Sequence, residues 1–327
     1  MEKYYQNTLD SFGASFQLEI KKGPNSTDFI MQTPEGPCTS GIFDVLPYVH
    51  LIYYDIHAHA LPGGTGEMPA TGRPVQLNYC IDGKTELMLD DETYIYMGPN
   101  DLCLSCQKSQ GDTYFPLKYY RGLALFLEDA FFSPQNRMLT DLLLPDVNGL
   151  RLRYLREQDT FLGAADARVR GILDKLWGLY PNPEIFYKRL YVLELLNCLM
   201  DESSCHEQSY VSYTRSQVEI AKKAEQILSG DLSVHIPVRS IAAQFSVSET
   251  SLKNYFRGVY GKNISAYLRD LRMSAAETAL VSTELSIAEI ASQVGYTKQG
   301  KFAQVFKAAF GRSPLEYRRM KKLENIQ

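Results

Sequence analysis

The last third of this chain writes one helical motif twice. The first copy reads Val238-Arg-Ser-Ile-Ala-Ala-Gln-Phe-Ser-Val-Ser248 and runs on to Phe256. The second reads Ser286-Ile-Ala-Glu-Ile-Ala-Ser-Gln-Val-Gly-Tyr-Thr297 and runs on to Phe306, in a register of about 49 residues. Each copy has a short segment with Ile and Ala on one face, a three-residue turn, and a second segment that opens on Ser or Thr and carries polar and basic side chains. That is the pattern of a helix-turn-helix, whose second helix enters the DNA major groove. Two copies joined by a helix-sized spacer imply an all-helical domain with two such units, and DNA binding as the leading expectation for the chain.

The charge distribution fits that expectation. Residues 212–327 hold 17 Lys+Arg and 10 Asp+Glu, a net of +7, while residues 1–211 hold 17 and 28, a net of −11. A basic end on an acidic body suits a polyanionic partner for the basic end alone. The overall net of −4 hides this, and 45% hydrophobic with 22% charged residues is ordinary for a globular chain. The 327 residues allow two or three domains. No apolar run suggests a signal sequence or a membrane span, so a cytoplasmic protein is expected. Six cysteines in a chain of this size read as free thiols.

The front half has a different rhythm. Val49-His-Leu-Ile-Tyr-Tyr-Asp-Ile-His-Ala is rich in β-branched and aromatic residues, and Val75-Gln-Leu-Asn-Tyr-Cys-Ile81 alternates. Asp82-Gly83 followed by Thr85-Glu-Leu-Met-Leu reads as a hairpin. Tyr94-Ile-Tyr-Met, Gly98-Pro-Asn-Asp and Leu102-Cys-Leu read as strand, turn, strand, and Leu123-Ala-Leu-Phe-Leu closes the set. Many short strands punctuated by Gly and Pro suggest a small barrel or jelly roll. From Pro134 the pattern turns helical, with candidates at 135–144, 164–180 and 184–201. In the last of these, Phe186, Leu190, Leu193, Leu196, Leu199 and Met200 recur at helical spacing. That stripe has two readings, core packing or a dimer seam. The expected division is therefore 1–132 as a ligand-binding barrel and 133–206 as a helical dimerisation or packing segment. A linker at 207–215 and the tandem unit at 216–327 complete it. The fold class is α+β multidomain.

Within the tandem unit, Ile241, Ala242, Phe245 and Val247 are expected to pack inward, with Ser248 capping the next helix. Leu252, Tyr255, Phe256 and Val259 form its buried stripe. That leaves Glu249, Thr250, Lys253, Asn254 and Arg257 facing a groove. In the second copy Ile287, Ile290, Ala291 and Val294 support the turn, Gly295 permits it, and Thr297 caps. Phe302, Val305, Phe306 and Ala309 are buried, and Lys298, Gln299, Lys301, Gln304 and Lys307 face out. The connector, Asn263–Val281, would span roughly 25–28 Å as one helix, compatible with recognition helices on adjacent major-groove turns about 34 Å apart. Arg269 and Arg272 on it read as phosphate contacts or as packing or solvent-exposed residues.

Gly295-Tyr-Thr-Lys-Gln-Gly-Lys-Phe-Ala-Gln-Val-Phe-Lys-Ala-Ala-Phe-Gly-Arg-Ser-Pro-Leu-Glu-Tyr-Arg318 resembles the signature of the AraC/XylS family: a Gly-aromatic turn, a Phe, Phe-Lys, then Phe-Gly-x-Ser-Pro and Tyr-Arg. The match runs over Ile220–Arg319. The resemblance implies a transcription regulator, usually an activator, that binds an asymmetric promoter site on double-stranded DNA through both units and works with RNA polymerase. It also implies a separate N-terminal domain for a small-molecule effector or for homodimerisation, often a cupin-like barrel followed by helices. Where the family frequently has Arg, this chain has Asn254 and Gln304. Asn and Gln pair well with adenine, so A·T at those two steps is one reading, and bonding to phosphate or water is the other. Gly300 is unusual inside a recognition helix.

The front half offers weaker chemistry. His57-Ala-His59 with Glu67 resembles the first metal motif of cupins, and on a strand the two His would share a face. No His follows up to Leu127, and a first shell normally takes three or four protein groups, so neither a metal nor a cofactor is expected. Gly63-Gly-Thr-Gly is a loop with no helix after it. Cys103-Leu-Ser-Cys106 is a lone pair whose thiols a strand would point to opposite faces. Tyr48, Tyr53, Tyr54, Tyr79, Tyr94 and Tyr96 suit either a sugar-like ligand or an ordinary core. Tyr53, His57, His59 and Tyr79 are the weak candidates for effector binding. No catalytic residue is assigned, and the chain is not expected to be an enzyme. The alternatives are a regulator controlled by a protein partner without a small ligand, or a cupin metalloenzyme fused to a DNA-binding domain.

Overall fold

The computed structural model describes residues 18–61, 73–89, 92–106, 113–136, 143–144, 147–155, 159–201, 205–207 and 210–324. The chain divides into two compact units, 1–212 and 213–327.

The first unit is built on an antiparallel sheet. Its centre is β3 (Gly36–Leu46), β4 (Val49–Ile56), β11 (Tyr120–Leu127), β6 (Val75–Gly83) and β9 (Asp101–Ser105), paired in that order. β1 (Leu18–Lys22) and β2 (Ser26–Thr33) extend one side, and β12 (Thr160–Ala165) and β13 (Cys205–Glu207) the other. Two short pairs are separate: β5 (Ala60–Leu61) with β10 (Thr113–Tyr114), and β7 (Thr85–Met88) with β8 (Thr93–Met97). Alternation sorts the side chains. Val49, Leu51 and Tyr53, Val75, Leu77 and Tyr79, and Leu123, Leu125 and Leu127 share one buried cluster. The same cluster takes in the inner faces of α2 (Ala167–Gly178) and α3 (Phe186–Leu199). Ile42, Ile52, Ala124 and Phe126 form a second cluster on the other face.

Several expectations change here. Among the described residues the sheet does not close: β1 and β13 stand at opposite ends of the strand order, so the unit is sheet-rich rather than a closed barrel. Asp82-Gly83 is not a hairpin turn. β6 ends at Gly83 and pairs with β9 and β11, while the hairpin lies between β7 and β8. Gly83 is instead required by a close approach. Its φ is +85, and a Cβ there would stand 2.8 Å from the Tyr120 Cα. The helix expected at 135–144 falls partly outside the described residues, and Pro134–Asn136 is a 3-10 turn. Glu67 and the 63–66 glycine loop lie outside them altogether. A helix does form at Val147–Tyr154 (α1).

The apolar stripe of α3 splits. Leu196 and Leu199 are buried with Val192 and Leu195, but Phe186 and Leu190 are 57% and 45% exposed. The helix is turned so that Lys188 is wholly buried. Its ammonium donates to the carbonyls of Leu179 (3.3 Å) and Glu184 (2.9 Å) and lies 4.3 Å from the centre of the Phe43 ring. A long aliphatic stem with a hydrogen-bonded head can occupy a core position that apolar periodicity alone assigns to Leu.

The second unit is all helical. α4 (Arg215–Gly230) opens on a Thr214–Gln217 capping box. α5 (Val238–Gln244) and α6 (Glu249–Tyr260) form one helix pair, and α8 (Ile287–Gln293) and α9 (Gln299–Phe310) another. α7 (Ile264–Ser282), capped by Asn263, joins them, and α10 (Pro314–Glu324) ends the unit. Among the described residues no helix is long and apolar enough to cross a membrane.

Candidate nucleic-acid interface

The two pairs are built alike down to single residues. In the first turn the N–H of Val247 donates to Ala242 O (3.1 Å), and in the second the N–H of Tyr296 donates to Ala291 O (2.8 Å). Both turns need a left-handed residue: Ser246 at φ 55 and Gly295 at φ 78. Behind each second helix sits the same aromatic triad. Phe256–Tyr260 and Phe306–Phe310 both lie at 4.5 Å. Phe256–Tyr267 and Phe306–Tyr317 meet edge-on at 5.3 and 5.6 Å. The edge-on tyrosine of each triad donates to a glutamate on the preceding long helix, Tyr267 to Glu225 (3.0 Å) and Tyr317 to Glu277. The Glu277 carboxylate pushes the Tyr317 hydroxyl up to about 12. These Glu–Tyr pairs escape helical periodicity because a carboxylate that is buried, as Glu225 is, or half-buried, as Glu277 is, looks like a surface residue until its donor is known. The recurrence of Tyr267 and Tyr317 at matching places in the repeat was the available signal.

The outer faces hold the expected side chains. Ser248 caps α6, its Oγ accepting from the N–H of Ser251 (2.9 Å). Thr250, Lys253, Asn254 and Arg257 are exposed and Glu249 half-exposed, while Leu252, Phe256 and Val259 are buried and Tyr255 half-buried. Lys253 is paired to Glu249 at 2.5 Å. In the second pair Thr297, Lys298, Gln299, Lys301, Gln304 and Lys307 are all exposed, with Phe302 and Phe306 buried.

Thr297 is not the cap. Lys298 holds the N-cap position of α9, with no side-chain bond. The reason is one extra residue between the second turn and its helix, so that Ser248 corresponds to Lys298 and not to Thr297. Asn254 then corresponds to Gln304 and Arg257 to Lys307. Ala309 is exposed rather than buried, and Phe310 packs on Phe306 instead. Phe245, Val247 and Val305 are half-buried. A Cβ on Gly300 would meet nothing within 4 Å, so packing does not demand glycine there.

The two faces differ in charge. The first carries Glu249, Lys253 and Arg257; the second carries Lys298, Lys301 and Lys307, and α9 contains no acidic residue. Such faces can neutralise phosphates and present amide groups to base edges.

Of the N-terminal candidates, Tyr53 and Tyr79 share one buried cluster, flanking Leu123 in the sheet. Tyr53 is fully buried, its hydroxyl donating to Leu176 O (2.8 Å) and its ring stacked on Tyr180 at 4.9 Å. Tyr79 is buried with its hydroxyl on Asn100 (3.2 Å), and burial pushes it up to about 12. Both are core residues. β4 ends at Ile56, so His57 and His59 lie beyond the strand that would have given them a common face. His57 packs on Tyr119 (5.4 Å) and lies 3.2 Å from Asp55, whereas His59 meets the edge of Tyr114 (4.5 Å). Among the described residues no three His, Cys, Asp or Glu are grouped to hold a metal. Cys103 sits in one buried cluster and Cys106 packs against another, as strand alternation requires.

A family model described as a helix-turn-helix domain matches residues 241–320. The Msm operon regulatory protein of Streptococcus mutans is 31% identical over 127 residues, covering 38% of this chain and 45% of the relative. The HTH-type transcriptional activator RhaR of an Enterobacter species is 27% identical over 134 residues, 41% of this chain and 44% of the relative. The arabinose operon regulatory protein of Salmonella typhimurium is 33% identical over 84 residues, 26% and 30% respectively. The chain thus matches less than half the length of each of these relatives. Among solved structures, the C-terminal domain of AraT, a response regulator from Geobacillus stearothermophilus, is 36% identical with a TM-score of 0.30, covering 31% of this chain and 84% of that one.

Proposed function

Because the C-terminal unit is an AraC-type helix-turn-helix domain, we propose that the chain regulates transcription by binding duplex promoter DNA through both helix pairs. The observation that carries this reading is the duplicated construction: equal turns and equal aromatic triads, each holding one polar, cationic helix face outward. Lys253, Arg257, Lys298, Lys301 and Lys307 supply attraction to phosphate. Asn254 and Gln304, at equivalent positions, reach base edges and favour adenine. Ser248, Glu249, Thr250, Thr297 and Gln299 complete the two contact faces.

The printed name of one relative, a transcriptional activator, supports an activating role, and the rest of the reading extends the AraC/XylS resemblance to the separate N-terminal unit. The protein acts in the cytoplasm as an activator with RNA polymerase and as a homodimer, by binding rather than by catalysis. A small effector held by the sheet-rich unit shifts the population between states of different DNA affinity. The exposed Phe186, Tyr187 and Leu190 of α3 support dimerisation through that helix. Selection of duplexes from a random pool with the full-length protein tests the core of this. One directional motif in two parts is expected, with A·T at one step in each part that Asn254→Ala or Gln304→Ala relaxes. Recovery of no common motif would defeat the reading. G at both steps, unaffected by either substitution, would defeat the adenine assignment.

A further inference from the structure

Of the two arginines on the connector α7, Arg269 is exposed and lies 3.6 Å from Asp270. Arg272 is placed differently. It is half-buried, and its Nη2 stands 3.5 Å from the carbonyl of Val234, in the loop between α4 and α5. Its Nε is buried without a hydrogen-bond partner. Against the same guanidinium lies Gly295, the left-handed residue of the second turn. A Cβ built there would stand 2.7 Å from the guanidinium and would also meet the carbonyl of Leu232. Three elements therefore converge on one side chain: the loop ahead of the first pair, the connector, and the turn inside the second pair.

We propose that Arg272 is a clasp that fixes the spacing and orientation at which the two recognition helices are presented, and so sets the half-site spacing the protein accepts. This rests on the reading that both pairs contact DNA. A helical connector of 19 residues sets the axial distance between the pairs, and each pair packs on it, through Tyr267 in the first and through Met273, Ala276 and Leu280 in the second; Arg272 is a connector side chain that also touches both the loop ahead of the first pair and the turn of the second. The planar guanidinium, with donors directed to several sides, can donate to the Val234 carbonyl of the first half while it packs against the glycine of the second. An ammonium has neither the plane nor the fork. An Nε buried without a partner is costly, a cost that the contacts of the guanidinium with the two halves offset. Two rigidly linked sites gain affinity only when the target matches their separation. The gain is of the order of 10²–10⁴ and is lost when geometry forbids simultaneous engagement.

The test uses the full-length protein and the duplex its own selection yields, together with duplexes that have one or two base pairs inserted or deleted between the half-sites. Each step moves the second half-site by about 3.4 Å. Wild-type protein is expected to discriminate against altered spacing by roughly 100-fold. Arg272→Met, which keeps the aliphatic length, is expected to lower that discrimination at least about tenfold while leaving the penalty for a wrong base within either half-site unchanged. Arg272→Lys should fall between the two, and it carries the test if the Met variant does not fold. Amide exchange read without DNA should quicken at Val234 and Tyr296 in the variant and not in α6. Wild-type spacing discrimination in a folded Arg272→Met protein, or unchanged exchange at both amides, overturns the clasp. Protection of a single half-site by wild-type protein overturns the two-pair reading beneath it.

Discussion

Ser246 holds a backbone conformation that its counterpart, Gly295, adopts without penalty. A non-glycine residue in the left-handed region costs roughly 1–2 kcal/mol, part of which glycine would return as lost chain entropy. Ser246→Gly is therefore expected to stabilise the protein by about 0.5–1 kcal/mol in urea unfolding followed by helix signal; destabilisation would show that the side chain contributes more than the backbone strain. The caps give a second contrast. Ser248→Ala removes the bond to the Ser251 N–H and should cost about 1 kcal/mol. Thr297→Ala, outside the N-cap position, should fall within about 0.5 kcal/mol of wild type. Equal costs would contradict the one-residue displacement of the second helix. The buried stripes of α6 and α9 were legible because Leu252, Phe256, Phe302 and Phe306 recur at helical spacing. The cap of α6 was legible too, but that of α9 was not, because a single inserted residue shifts which side chain reaches the helix end without disturbing that spacing.

At the scale of elements, the difference in charge between the two recognition helices has a measurable consequence. Each phosphate neutralised contributes about −0.9 to the slope of log affinity against log salt. Replacing Lys298, Lys301 and Lys307 by Ala should therefore flatten the slope by up to about 2.7. Replacing Lys253 and Arg257 should flatten it by up to about 1.8. An unchanged slope in the triple variant would remove α9 from the interface. The elements of the front half show where pattern reading stops. Strands β4, β6, β9 and β11 were visible from alternation and residue type. Closure was not, because which strands pair, and whether helices cover one face, depend on contacts distant in the chain. Asp82-Gly83 illustrates the point: the dipeptide has the residues of a hairpin turn, but its glycine answers to the close approach of the Tyr119–Tyr120 backbone. Lys188 does the same for α3, since a buried, hydrogen-bonded ammonium turns the helix away from the face its apolar residues suggest.

The whole molecule pairs an acidic, sheet-rich unit with a basic, duplicated helical unit. The duplication was legible in the sequence as a repeat, and the structure extends it to the triads and the Glu–Tyr pairs behind each recognition helix. Its halves carry different outward chemistry, Glu249, Asn254 and Arg257 against Gln299, Gln304 and the three lysines, so a single subunit should read a directional site. Hydroxyl-radical footprinting of the full-length protein on its selected duplex tests this most directly. Two protected segments on one face, about one helical turn apart, are expected for each bound subunit, with substitutions in α6 erasing one and substitutions in α9 the other. A single protected segment indifferent to changes in α9 would contradict the account.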